Sequence, residues 1–433
     1  MRVSSLVLLG ALSACTGHKV KPGTESVATD SAVTGDSIPI VTDTDTAPDS
    51  ATDSGGDTAD SASDTAASPP DVVVDCNGTG AYTTITAAIS ASHSGTTIGL
   101  MPCTYHEDVN FVGKYLNIYG IDGSGSTTIQ GLGDGPVITA VRGETVGTRL
   151  AGVTVTGGAG SYGAGLWMNG SVLALEDVVF TGNNQTYAVL YGEGISVTMV
   201  DVSFTGNHEL SGGAVTYIDN GSMLAQRLAI TCDGADMGIY QHDATLFLDS
   251  TLDCPNATYG IYVDGSEFAS HRSSVKGGST GIYGADSDDT YNERLWLFNT
   301  VVVGTDLGAY AQYMHFKADN SVFYSDSVGL QIDTCDTSSY VYDSALIGSR
   351  CAMKGDNTAY GIGWNAIGTG RYCKADGFST VSGDPLFTAA PDDFTLAAGS
   401  PLIDAGNPDS SHTDDDGTRN DIGAWGGPGV QAP

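Results

Sequence analysis

Two stretches of this chain are near-copies, and their spacing constrains the fold more than any other feature. They are Gly170-Ser-Val-Leu-Ala-Leu-Glu-Asp-Val-Val-Phe-Thr-Gly-Asn-Asn184 and Gly194-Ile-Ser-Val-Thr-Met-Val-Asp-Val-Ser-Phe-Thr-Gly-Asn-His208, with Phe180 and Phe204 24 residues apart. A self-similar period of this length marks a stacked array. A looser form of the pattern (polar residue, two residues, apolar residue, any residue, glycine) runs through Val155, Phe180, Phe204, Ile230, Leu252, Val275, Val302, Phe323, Leu346 and Ile367. The steps between these anchors range from 21 to 27 residues. A unit of about 23 residues is too short for a strand-plus-helix repeat, and it shows no helical period. It holds two or three short apolar strands divided by Gly, Asn and Asp turns. The expectation is therefore an all-β fold, a parallel β-helix in which successive coils stack about 4.8 Å apart, giving a body of roughly 43 Å for nine steps.

The register makes finer claims. Three positions before the inner anchors stand Asp177, Asp201, Arg227, Asp249, Arg272, Asn299, Asn320 and Asp343, with Gly152 and Trp364 breaking the polar rule at the two ends. These positions are expected at a corner between two strands, where Asn and Asp tolerate left-handed backbone geometry. Asp201, Arg227, Asp249 and Arg272 would stack there with alternating charge. Because the column recurs in every coil it reads as scaffold, although paired carboxylates could in principle be catalytic. A second column is Gly-apolar-Tyr: Gly238-Ile-Tyr240, Gly260-Ile-Tyr262, Gly281-Ile-Tyr283 and Gly308-Ala-Tyr310. Strand alternation turns Ile239, Ile261 and Ile282 inward and the four tyrosines outward in a row, flanked by His242, Asp264 and Asp333.

Cysteines test the register independently. Cys232 and Cys254 occupy the same slot, two residues after the anchor, in neighbouring coils. Stacking would bring their Cα atoms to about 5 Å, within disulfide range. Cys76 and Cys103 form a candidate second pair. Cys351 could bond Cys373, one coil length away, or Cys335; both alternatives stay open.

The ends differ in character. Met1-Arg2, an apolar run over residues 3–12 and Leu12-Ser13-Ala14-Cys15 together resemble the bacterial lipoprotein signal, covering residues 1–15. The resemblance implies cleavage before Cys15 and lipid on that residue; Thr16, in place of a retaining Asp, implies the outer membrane. Residues 16–70 form an acidic Thr/Asp/Ser tract with no apolar period, expected to be a disordered linker holding the folded part off the membrane. A calcium-binding repeat is the competing reading of this tract, but it lacks the loop-closing Glu.

Residues 71–383 are expected to be the β-helix with its entry cap. Strands are read at Val72–Val74, Thr96–Leu100 and Tyr115–Tyr119. Ile85, Ala88 and Ile89 fall at helical spacing, with Thr83 or Thr84 as N-cap. Tyr82-Thr-Thr-Ile-Thr-Ala-Ala-Ile89, followed by Gly95, Ile98, Pro102 and Tyr105, resembles the opening of pectin-lyase-like right-handed single-stranded β-helix proteins, in which a short amphipathic helix plugs the first coil. Residues 384–433 carry Asp384-Pro-Leu-Phe387, Asp393-Phe-Thr-Leu396, Gly399-Ser-Pro-Leu-Ile-Asp-Ala-Gly406, Asp414-Asp-Asp-Gly417 and Arg419-Asn-Asp-Ile-Gly-Ala424. These pieces resemble the closing segment of bacterial surface β-helix proteins of the choice-of-anchor type, with Gly426 where that family continues with Glu. No sorting anchor follows before Pro433, which agrees with attachment through the N-terminal lipid.

Charge bounds the partners. The whole chain carries −35, and residues 71–433 have 13 basic and 41 acidic residues, net −28. A phosphate backbone needs a basic surface, so nucleic acid is excluded as a partner. An acidic polysaccharide would require bridging cations. Asp414, Asp416 and Asp421 form a partial calcium pattern, but an EF-hand loop would need Asp where His412 stands, and the closing Glu is absent; a solvated acidic turn is the preferred reading. The histidines show no pair at metal-ligand spacing. Asp288-Asp289 is the one candidate Asp-Asp pair within the array, and the companion pieces of a polygalacturonase-like site are missing around it. The expected role is a lipid-anchored, surface-exposed outer-membrane protein that presents a non-catalytic β-helix for adhesion or for binding an extracellular ligand, glycan or surface protein. Tyr240, Tyr262, Tyr283, Tyr310, His242 and Asp264 are the binding candidates, and no cofactor other than calcium is considered. The alternative is a polysaccharide lyase or glycoside hydrolase of the same fold.

Overall fold

The structure is a computed structural model, described for residues 69–160, 162–185, 187–209, 213–242, 244–286, 293–333, 335, 338–355, 361–368 and 381–428. Cys15, the acidic tract up to residue 68, Asp288, Asp289 and Cys373 lie outside the described residues.

Almost every element is a short strand, and within the coils each pairs in parallel with its equivalent one coil away; Phe387–Ala389 and Asp393–Leu396 form a separate antiparallel pair. An 11-stranded sheet runs from Val109–Asn110 to Cys351–Gly355, and a 23-stranded sheet wraps the rest of each coil. The chain is a parallel β-helix. Its register is the one the anchors predict: Val155 faces Phe180, Phe180 faces Phe204, and the series continues through Ile230, Leu252, Val275, Val302, Phe323 and Leu346 to Ile367. Side chains of one period therefore fall on one another, and like packs on like. Phe180 and Phe204 stack with centroids 4.7 Å apart and planes 6° from parallel.

The larger sheet bends at the predicted corner. Asp177, Asp201, Arg227, Asp249, Arg272, Asn299, Asn320, Asp343 and even Trp364 all have φ between 43° and 54°. In Val172–Phe180 and Ser196–Phe204 a single strand passes through the corner; in later coils the strand breaks there, as in Ser222–Gln226 and Ala229–Thr231. Arg227 grips Asp201 with two hydrogen bonds of 2.6 and 2.8 Å, and Arg272 grips Asp249 in the same way. Inside the near-copied turns, Asn183 and Asn207 are buried and stack, Asn183 Nδ2 donating to Asn207 Oδ1 at 3.1 Å.

Both exposed ends of a solenoid core need covering. At the start, helix Ile85–Ala91 is capped by Thr84 and buries Ile85, Ala88 and Ile89. The Glu107 carboxylate accepts from the amides of Ile85 and Thr86 at 2.7 and 2.8 Å, taking up N–H groups that the first turn leaves unpaired. At the other end of the sequence, residues 381–428 lie along the outer side of the last coils. A second apolar cluster joins the outward-facing Val301, Val303, Val322, Ala345 and Ala366 to Phe394, Leu402, Ile422 and Ala424. Three successive corner residues reach into the same segment. Asn299 Nδ2 donates to Gly426 O at 2.7 Å, Asn320 Nδ2 donates to Asp421 O at 2.8 Å, and Asp343 Oδ1 accepts from Asn407 N at 2.6 Å.

Cys232–Cys254 and Cys76–Cys103 are bonded, with Cα separations of 4.7 and 6.4 Å. Cys335 is a buried thiol with its Sγ 3.7 Å from Ala311 O, so the Cys335–Cys351 alternative is not formed. Cys351 is disulfide-bonded, and its partner lies outside the described residues.

Candidate functional site

The exterior of the 11-stranded sheet carries two parallel columns of side chains. In each coil, strand alternation buries one residue and exposes the next. Ile239, Ile261, Ile282 and Ala309 are fully buried, and the tyrosine that follows each faces out, half-buried. The glycine that precedes each apolar residue is needed for close packing between coils: a Cβ on Gly260 would stand 2.6 Å from Gly281 O.

Register sets Tyr191, Tyr217, Tyr240, Tyr262, Tyr283 and Tyr310 side by side. Successive ring centroids are 5.4, 4.2, 5.7, 5.0 and 4.9 Å apart, with planes 5° to 24° from parallel. Trp167 pairs with Tyr191 at the head of the column, and Tyr187 and Tyr259 pack tilted or edge-on against its flank. Two residues further along each strand lies a column that is polar except at Ala285: Asn169, Glu193, Asp219, His242, Asp264, Ala285, Gln312 and Asp333. His242 follows Gln241, the partner of both Ile218 and Val263, and so falls between Asp219 and Asp264. Its Nδ1 is 2.8 Å from Asp219 Oδ1. Tyr240 bridges the two columns, its hydroxyl donating to Asp264 Oδ2 at 3.3 Å.

The stacking decides what this surface can do. Each phenol ring inside the column has a neighbour on both faces, so those faces are taken. The column presents ring edges and hydroxyl oxygens, one per coil, beside a mostly polar column to which Glu193, Asp219, Asp264 and Asp333 contribute carboxylates. Burial and the Asp264 carboxylate push the Tyr240 and Tyr262 hydroxyls up to about 12. Burial also raises Tyr217 and Tyr310, the latter with help from Asp333. These phenols stay protonated at neutral pH and act as neutral donors and acceptors.

The six binding candidates therefore lie together. Tyr191, Tyr217, Glu193 and Asp219 extend the surface and were missed, because their coils read Val189-Leu190-Tyr191 and Val215-Thr216-Tyr217 and lack the glycine that marked the others. Counting back one coil from Tyr240 would have found Tyr217.

The proposed calcium carboxylates brace turns. Asp414 accepts from Gly427 N at 2.6 Å and Asp421 N at 3.0 Å, Asp416 from Thr418 N at 2.9 Å, and Asp421 from Asp404 N at 2.7 Å. Among the described residues, the three ligating side chains that converge are instead Asp319, Asp343 and His412.

No protein-family model matches this chain, and no curated protein does. Among solved structures it is similar to the pectate lyase Pel9A, at 15% identity over 81% of this chain and 92% of that one, TM-score 0.41. It is also similar to the A-module of the Azotobacter vinelandii mannuronan C-5 epimerase AlgE6, at 14% identity over 70% and 94%, TM-score 0.42. Pectin methylesterase from carrot aligns at 15% identity over 72% and 88%, TM-score 0.28. Likeness at this level brings neither activity nor substrate to the chain; fold and function separate readily in such architectures.

Proposed function

We propose that the β-helix is a binding module that takes an extended neutral glycan along the tyrosine and acidic columns, displayed on the acidic tract from a lipid attached at Cys15. The observation that carries the reading is the pair of continuous columns at coil spacing. One coil advances about 4.8 Å, close to the length of one pyranose unit in an extended β-linked chain. A sugar chain lying along the axis would therefore meet a fresh hydroxyl at each unit, and a carboxylate where Glu193, Asp219, Asp264 or Asp333 stands. Carboxylates accept hydrogen bonds from sugar hydroxyls and repel uronates, which favours a neutral or amino sugar over an acidic one. Recognition here rests on hydroxyls and edges, since the ring faces are occupied.

The test is titration of the full chain with soluble neutral, amino-sugar and uronate oligosaccharides, followed calorimetrically. Binding of the first or second class, weakened about thirtyfold by Tyr240→Phe with Tyr262→Phe, supports the reading; each lost hydroxyl removes a hydrogen bond worth about 1 kcal/mol. Binding untouched by those changes, or restricted to uronates, removes it. Turnover of any of the sugars overturns the non-catalytic part. Attachment is tested separately: palmitate label should enter the wild-type chain and be absent from Cys15→Ser. Among the described residues no helix is long and apolar enough to cross a membrane, so an unlabelled wild-type chain would leave the lipid reading without support.

A further inference from the structure

Where the C-terminal segment crosses the corner column, three side chains converge that no sequence motif groups. Asp319 is the last residue of the strand His315–Asp319, facing outward beside Phe298 and Tyr342. Asp343 occupies the corner of the next coil in left-handed geometry. His412 closes the short 3-10 turn Ser410–His412, which Asp409 caps. His412 Nδ1 lies 3.4 Å from Asp343 Oδ2 and 3.9 Å from Asp319 Oδ2, and the three ligating atoms all fall within 4.8 Å of one another.

Two features separate this trio from a solvated acidic patch. The Asp343 side chain has no exposure at all, and Asp319 and His412 are only 21% and 26% exposed. Within it, Asp319 Oδ1 and Asp343 Oδ2 are buried and make no hydrogen bond. A buried carboxylate oxygen with no donor is costly unless a cation sits against it. The other Asp343 oxygen is already held, accepting from Asn407 N at 2.6 Å. That bond fixes the carboxylate so that its unsatisfied oxygen faces His412. Two ligands bonded to a tetrahedral ion at about 2.1 Å stand about 3.4 Å apart. The His412–Asp343 separation has this value already, and His412 and Asp319, at 3.9 Å, stand only a little further apart.

We propose that Asp319, Asp343 and His412 bind one divalent transition-metal ion of the zinc class, which fastens the C-terminal segment to the last coils. An imidazole with two carboxylates is a borderline nitrogen and oxygen donor set. It suits zinc and its first-row neighbours, whereas calcium takes six to eight oxygens. The partial exposure of His412 leaves one side of the site open to water, which supplies the fourth ligand. The Asn320–Asn420 pair, with bonds of 2.9 and 3.2 Å, and the Asn299–Gly426 bond hold the segment in place around the site.

The experiment uses the full chain, stripped with chelator and dialysed. Zinc is titrated calorimetrically, bound metal is counted by mass spectrometry, and melting and limited proteolysis are followed with and without the ion. The expected result is one tight equivalent of zinc, a rise in Tm on loading, and slower cleavage within residues 381–428. A cobalt-loaded sample should show the intense visible bands of a low-coordinate site. His412→Gln should lose the tight equivalent and the zinc-dependent rise in Tm while melting normally without metal. Asp319→Asn should do the same and serves as the second variant. A wild-type chain that takes up no tight equivalent overturns the proposal, because the trio would then be an ion pair between imidazolium and carboxylate. Zinc bound equally well by His412→Gln overturns it, because the metal would then sit elsewhere on this acidic chain. Calcium bound in preference to zinc overturns the assignment of the ion.

Discussion

Two faces of this β-helix are built from the same kind of material and come to different ends. On the 11-stranded sheet, each tyrosine of the column is packed by the tyrosine of a neighbouring coil, and His242 is paired with Asp219 from the coil before. The column is satisfied by its own repetition and remains open to solvent along its edge. At the corner of the larger sheet, the early coils do likewise: Arg227 pairs with Asp201, and Arg272 with Asp249. The last three polar corner residues, Asn299, Asn320 and Asp343, turn instead to a segment that does not repeat. There the partner is unique, Asn320 and Asp343 are buried, and a carboxylate oxygen is left over for another ligand. Periodicity in a solenoid thus marks scaffold only where the next coil supplies the partner. Where a non-repeating segment docks, the same column becomes a local site.

The comparison breaks hardest at the docked segment. Phe394, 4% exposed, packs with Phe387 and Tyr324 over the outward valines. Phe394→Ala should cost about 3–5 kcal/mol in the stability of that segment. Proteolysis should then release residues 381–428 early while the tyrosine face keeps its near-ultraviolet dichroism. Loss of both signals together would mean that the two faces unfold as one unit.

Asp343→Asn comes next and should change sign with metal. Without zinc, replacing a buried carboxylate whose Oδ2 lacks a donor by an amide should be neutral or stabilising by about 1–2 kcal/mol. With zinc, the wild-type chain should melt higher than the variant. Thermal melts of both proteins in chelator and in zinc check this, and a variant less stable under both conditions would contradict it.

The open face is sharpened by titrating its phenols. Tyr240 and Tyr262 are held up to about 12, first by burial and then by Asp264, against about 10 for free tyrosine. A group whose pKa is higher folded than unfolded contributes stability in full below the unfolded value and loses it as pH rises toward the folded one. Between about pH 10 and 12, stability should therefore fall, and phenolate absorbance at these positions should lag behind that of exposed tyrosines. Absorbance that rises with the exposed tyrosines would contradict the stacked geometry.

The smallest effect belongs to the exposed corner pairs. Arg227 and Asp201 are each about half exposed, so Arg227→Ala should cost no more than about 1 kcal/mol in a denaturant titration. A larger loss would mean that the corner column contributes more than its geometry implies.

Much of this was legible because a repeat states the same contact many times. Anchors such as Phe204 and corner residues such as Asp249 recur at a fixed offset, and any backbone that stacks them must stack all of them. The Cys232–Cys254 bond followed from the same offset. The entry helix was readable from Ile85, Ala88 and Ile89 because burying one face is a local property of sequence. Tyr191 and Tyr217 escaped because their coils replace the marker glycine while keeping the backbone path. His412 escaped for a deeper reason: it pairs with nothing at ligand spacing in the sequence, and its partners, Asp319 and Asp343, lie 93 and 69 residues away.

The sequence by itself determined the coil, its register, its corner and the two columns that face outward on one sheet, since parallel stacking converts a period directly into contact. Only the tertiary structure decided that the tyrosine rings spend their faces on one another, because ring orientation depends on packing that a period does not specify. It alone decided where residues 381–428 lie. That segment chooses its place by matching Phe394, Leu402 and Ile422 to apolar residues on the outside of distant coils, and in doing so it brings His412 to Asp343.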